Sequence, residues 1–235
     1  MKQIPVLLLS FLMCSCTSKY LIEGTTAMSN LDGKTIFIKM HQEDGTWLTV
    51  DSVEIVHGLF TMKGCVDSVM VTTLFLDDQP VMPMVLESGR IKISMAYNEL
   101  FARGTQFNDL LYDFLDKKEN IESKMFELER SETRLILDGK NIDEVKSELA
   151  RQGAVLTKEM DILIKGFIID NSENPLGAYV FLLLSTSMPY PMMTPQIEDI
   201  LKDAPYSLKS NQVIKDFIHK AKENKQLIDE HRRIQ

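Results

Sequence analysis

The chain changes texture near residue 105, and this change constrains its fold more than any other feature. Residues 20–105 consist of short runs rich in Val, Ile, Thr and aromatics, separated by Gly, Asp and Asn. Residues 106–235 consist of long Leu, Lys and Glu runs in which glycine is sparse. Alternating runs between turn residues read as strands, and apolar residues three and four apart read as helices. The pattern predicts an α+β chain: an N-terminal antiparallel β-sandwich or open barrel, followed by an all-α region.

Seven strand runs can be placed: Tyr20–Gly24, Thr35–Met40, Trp47–Ile55, Leu59–Lys63, Val69–Leu76, Val81–Leu86 and Arg90–Met95. The turns between them are expected at Glu43-Asp44-Gly45, His57-Gly58, Asp77-Asp78-Gln79-Pro80 and Glu87-Ser88-Gly89. In the second half Leu110, Leu111, Phe114, Leu115, Ile121, Met125 and Leu128 share one helical face, with Thr105 or Asn108 as N-cap. A second helix is expected over roughly 141–169, and Pro175 opens a third. Two more are expected over about 194–201 and 212–228. Ala178–Leu184 is apolar but too short to span a bilayer.

The first 16 residues, MKQIPVLLLSFLMCSC, have the form of a secretory signal: Lys2, then an apolar stretch from Val6 to Met13 broken by Ser10. A bacterial lipoprotein signal places a small residue before the modified cysteine. Ser15 precedes Cys16, whereas Met13 precedes Cys14, so Cys16 is the expected lipid-attachment site. The domain organisation follows as a signal over 1–15, a β-rich domain over 16–105 and a helical domain over 106–235. The competing readings are an ordinary cleaved signal without lipid and a buried first strand. Cleavage before Cys16 removes Lys2 and makes the formal charge of −8 one unit more negative. No acidic run follows Cys16, so a lipid-anchored protein facing the periplasm is expected, on the inner or the outer membrane.

With Cys14 removed and Cys16 acylated, only Cys65 remains, which excludes an intramolecular disulfide. A lone cysteine reads as a small buried hydrophobe. The balance of 26 Lys+Arg against 34 Asp+Glu, with no basic block, argues against a nucleic-acid partner. The histidines, His41, His57, His219 and His231, form no metal-binding spacing. No phosphate loop, dinucleotide fingerprint or nucleophile elbow occurs. Asp77-Asp78 and Glu43-Asp44-Gly45 lack the alternating oxygens of a calcium loop. No catalytic, cofactor-binding or metal residue is therefore assigned. Met188, Met192 and Met193 beside Tyr190 read as a core edge, or as a soft binding surface.

An ordered set of pieces resembles a known family. It comprises Tyr20-Leu21-Ile22-Glu23-Gly24, Leu31-Asp32-Gly33-Lys34 with Ile36, Phe37 and Ile38, and Asp51-Ser52-Val53 with Ile55. Gly58, Phe60 and Gly64 follow, then Leu86-Glu87-Ser88-Gly89 with Ile91 and Ile93, and finally Gly104-Thr105, Asn108 and Phe114. Over residues 20–115 the chain resembles domain of unknown function 4369, a β-rich domain found at the N-terminus of lipoproteins that end in a thioredoxin-like thiol–disulfide oxidoreductase. These positions read as scaffold: Gly24, Gly58 and Gly89 at turns, Asp51-Ser52 at a bend and Phe60 in the core. No thioredoxin-like module with paired cysteines follows in this sequence, so the resemblance carries over no catalytic residue. It implies a non-catalytic binding or accessory module, with an envelope thioredoxin-like protein as partner. The alternative is a component of a thiol–disulfide redox system acting through Cys65.

Overall fold

The structure, a computed structural model, describes residues 18–42, 45–97, 99–186 and 189–234, the last six of these as backbone only. Eight strands form two four-stranded sheets. They are β1 (Ser18–Thr26), β2 (Thr35–His41), β3 (Trp47–Glu54), β4 (Leu59–Val66), β5 (Met70–Leu76), β6 (Gln79–Leu86), β7 (Gly89–Ala96) and β8 (Glu99–Arg103). One sheet has the order β4-β1-β7-β8 and the other β3-β2-β5-β6. The α+β architecture follows the expected pattern, and Glu99–Arg103 is the eighth strand. One detail departs from an all-antiparallel sandwich: β1 and β7 run parallel, with Tyr20 opposite Gly89 and Ile22 opposite Ile91. β1 enters the sheet between two later strands, and long crossovers permit either direction there.

The inner faces alternate as the sequence requires. Ile22, Ile36, Ile38, Leu74, Met84 and Ile91 are fully buried between the sheets. Gly24 does not lie at a turn; it and Gly64 sit inside the β1–β4 ladder. Gly24 pairs with Phe60 and Gly64 with Tyr20. A Cβ on Gly24 would fall 1.9 Å from the Phe60 ring, and one on Gly64 would fall 2.5 Å from the Tyr20 hydroxyl. Each ring thus folds over its cross-strand glycine, a packing device that recovers area lost at a strand glycine. Gly58 does lie in a turn. His57 and Gly58 both have positive φ (52° and 72°) between the bridged pair Val56 and Leu59. This is the backbone that a two-residue hairpin loop demands. Asp51-Ser52 lies within β3, beside a register shift opposite Ile38/Lys39 of the kind that bends a strand.

The helices are α1 (Gln106–Leu137), α2 (Ile142–Asp170), α3 (Pro175–Thr186), α4 (Pro195–Asp203), α5 (Tyr206–Ser210) and α6 (Gln212–Ile234). The short α5 has no sequence signal of its own. Thr194 caps α4 through the Ile197 N–H, and Asn141 caps α2 through the N–H groups of Asp143 and Glu144. Leu111, Tyr112 and Leu176 from α1 and α3 join the sandwich core. A second core, with Phe181, Ile168, Ile197, Ile200 and Ile214, unites α2 to α4 with α6. The family-like β region and the helices thus share buried surface. No helix among the described residues is long and apolar enough to cross a membrane.

Candidate functional site

The helices dock on one side of the sandwich, and Asn108 shows how. Its side chain is fully buried and completes the edge of β6 as a neighbouring strand would. Asn108 Oδ1 accepts from the Val85 N–H (2.9 Å) while Nδ2 donates to the Val85 carbonyl (2.7 Å). One helical turn on, the Tyr112 hydroxyl donates to the Pro83 carbonyl (2.8 Å). Four helical residues rise about 6 Å and two strand residues about 6.6 Å, so an i, i+4 pair on α1 matches an i, i−2 pair on β6. Pro83 suits this edge because it has no N–H to leave unpaired. Glu87 is also buried, and its Oε1 accepts from the N–H groups of Phe107 and Asn108, so a carboxylate from the β6–β7 turn neutralises the start of α1. Thr105 stands at the N-cap position but makes no capping bond, accepting from Asn108 Nδ2 instead. These buried polar groups are committed to holding the two halves together.

The opposite edge, β3 with β4, is paired by no further described strand. Across it the Tyr20 hydroxyl donates to Asp51 Oδ2 (2.7 Å), tying the two sheets together. Partial burial and the adjacent Asp51 carboxylate push the Tyr20 phenol up to about 12. Trp47, Leu48 and Val50 of β3 are all exposed, as are Val56 and Leu59 where the chain turns into β4. On the outer face Trp47 meets Phe75 edge-on at 4.9 Å and His41 at 5.0 Å. Lys39 Nζ lies over Phe75 (4.5 Å to the ring centre) and 3.9 Å from Asp78. Trp47 thus belongs to an aromatic cluster on the outer face, Leu48 next to it points to the other face, and no described strand pairs the outer backbone edge of β3.

A second surface lies on the α1–α2 pair. Two adjoining cavities of about 540 and about 510 Å³ open between these helices. Their floor is apolar, from Ile121 and Leu128 on α1 and Leu156 and Leu163 on α2, and their rim is charged.

The residues singled out in the sequence do not converge. Cys16 lies outside the described residues, and so do Glu43, Asp44 and Met188. Cys65 is not a buried hydrophobe; it is exposed on β4, opposite Lys19, because odd positions of that strand face outward. His41 borders Trp47, His57 shapes a turn, and His219 lies 3.5 Å from Glu223 on α6. Of His231 only the backbone is described. Met193 packs on the second core while Tyr190 is exposed, and no three metal-ligating side chains cluster among the described residues. Sequence reading places Trp47 only at the start of a strand run, so it misses the aromatic cluster, and it misses the helix groove. The signal for the groove was present as seven-residue spacings, Lys117/Lys124/Ser131 and Val155/Ile162.

No curated protein matches the chain. One family does: the model of Domain of unknown function (DUF4369) matches residues 20–146, which takes in both sheets, α1 and the start of α2. Since that match spans more than half of the sequence, the chain belongs to the DUF4369 family.

Proposed function

We propose that this chain is a bacterial envelope lipoprotein, anchored through a lipid on Cys16 and facing the periplasm, that works by binding rather than by catalysis. The observation that carries the binding role is the β3 edge, which no described strand pairs and along which Trp47, Leu48 and Val50 are exposed. Exposed apolar side chains beside unpaired strand edges mark docking surfaces for other proteins. The preferred partner is an envelope thioredoxin-like protein, in keeping with the family resemblance. The anchor reading draws on the signal-like N-terminus. β1 begins at Ser18, two residues beyond Cys16, so the lipid-to-sandwich spacer would reach only about 7 Å.

Affinity capture of the full chain from its own envelope tests both parts. The wild-type chain is expected in the membrane fraction, with radiolabelled lipid on Cys16, and to recover a thioredoxin-like protein. Cys16→Ala should lose the lipid, and Trp47→Glu should lose the partner while keeping the lipid. An unlabelled wild-type chain would sink the anchor; a partner list unchanged by Trp47→Glu would sink the edge.

The exposed thiol of Cys65 favours one alternative, a component of a thiol–disulfide relay acting with a separate thioredoxin-like protein. That reading expects a mixed disulfide trapped by alkylation in the wild type and absent in Cys65→Ser.

A further inference from the structure

We propose that the α1–α2 groove seats a second copy of this chain, antiparallel to the first, to form a four-helix bundle across a two-fold axis. The two cavities between these helices are consecutive stretches of one groove. Both take from α1 residues that recur every three or four positions, Lys117, Ile121, Lys124, Leu128 and Ser131. From α2 they take Gln152, Val155, Glu159 and Ile162 in the same rhythm, with Leu156 and Leu163 beside them. That rhythm is the seam of a helical bundle. One side of the seam is used by the α1–α2 contact itself. Val155 and Ile162 remain exposed at the rim, facing no described element.

Charge selects the occupant. The stretch near the hairpin tip carries Lys124, Arg134 and Arg151 against Glu127. Arg151 is paired with Glu148, and with that residue included the stretch keeps one net positive charge. The stretch near the sandwich carries Asp116 and Glu159 against Lys117. Arg103 bonds both Asp113 and Asp116, and with Arg103 and Asp113 added this stretch keeps one net negative charge. A second chain lying antiparallel sets each positive stretch on the other's negative one, whereas a parallel copy would oppose like charges. The midpoint between positions 116 and 134 falls at the middle of the groove. The two-fold arrangement therefore brings Asp116 of one copy level with Arg134 of the other, twice. The groove is about 27 Å long at 1.5 Å per residue, and two helix diameters make it about 20 Å wide. The contact would bury on the order of 1,000 Å² over both copies, the lower bound for a specific interface, so charge complementarity carries much of the pairing. This inference does not depend on the anchor or on the β3 edge.

Sedimentation velocity of the detergent-solubilised full chain tests it. The expected species is a dimer, with dissociation strengthened roughly tenfold or more by Val155→Glu or Ile162→Glu, as for other central interface positions. Phe126→Glu, an exposed position outside the groove, should leave the dimer unchanged, and circular dichroism should report folded chains throughout. Arg134→Glu should weaken the dimer and Arg134→Glu with Asp116→Lys should restore it. A monomer at every concentration up to about 100 µM, where any useful affinity would show, overturns the proposal. So does a dimer indifferent to Val155→Glu and Ile162→Glu, or a charge swap without recovery. Recovery of a different protein on the groove of a monomeric chain likewise overturns it.

Discussion

Asn108 does the most structural work for its size. It satisfies both backbone groups of Val85 at an edge that α1 covers, where water cannot substitute. Each buried group left unpaired costs about 1–3 kcal/mol, so Asn108→Ala is expected to destabilise the chain by about 2–5 kcal/mol in urea unfolding. Asn108→Asp should do no better, since its carboxylate would face the Val85 carbonyl and Glu87. The buried tyrosines make a second prediction. Burial holds Tyr20 and Tyr179 up at about 12, and raises Tyr112 as well. The unfolded phenols ionise near 10, so from there upward the folded chain holds protons that the unfolded chain has lost. Stability from these groups is therefore full below about pH 10 and falls as pH rises towards 12. Urea midpoints measured from pH 8 to pH 11.5 should fall only above about pH 10. Tyr20→Phe should flatten part of that decline.

At the scale of elements, capping residues and turn residues decide where segments begin. Asn141 sits one residue outside α2 and accepts from two of its first N–H groups. Asn141→Ala should cost about 1 kcal/mol and raise hydrogen exchange in the first turn of α2. α1 behaves differently: its first N–H groups are served by Glu87, a residue some twenty positions away. Local pattern shows Thr105 as the cap because it lies in the right place. Tertiary packing overrides it, since a buried carboxylate at a helix start meets both the unpaired donors and the dipole.

For the whole molecule, the helices complete the sandwich core, while a second core joins the helices to one another. Leu111, Tyr112 and Leu176 complete the packing between the sheets, and α1 supplies partners for β6. A fragment of residues 18–105 is expected to lose cooperative unfolding, giving no sigmoidal urea transition by circular dichroism. The full chain should give one. Retention of a sharp transition by the fragment would show that the β region stands without α1.

The two textures, the seven strand runs, the helix starts at Asn141, Pro175 and Thr194 and the family itself were legible in the residues. Period, capping and turn chemistry act within a few positions of one another, and that is the range over which sequence can be read directly. The parallel β1–β7 pair, the rings lying over Gly24 and Gly64, the strand-like role of Asn108 and the continuous groove were decided by tertiary structure. Each depends on segments tens of residues apart, whose meeting is set by how whole apolar faces are buried together. A local pattern supplies those faces but does not say which one each will cover.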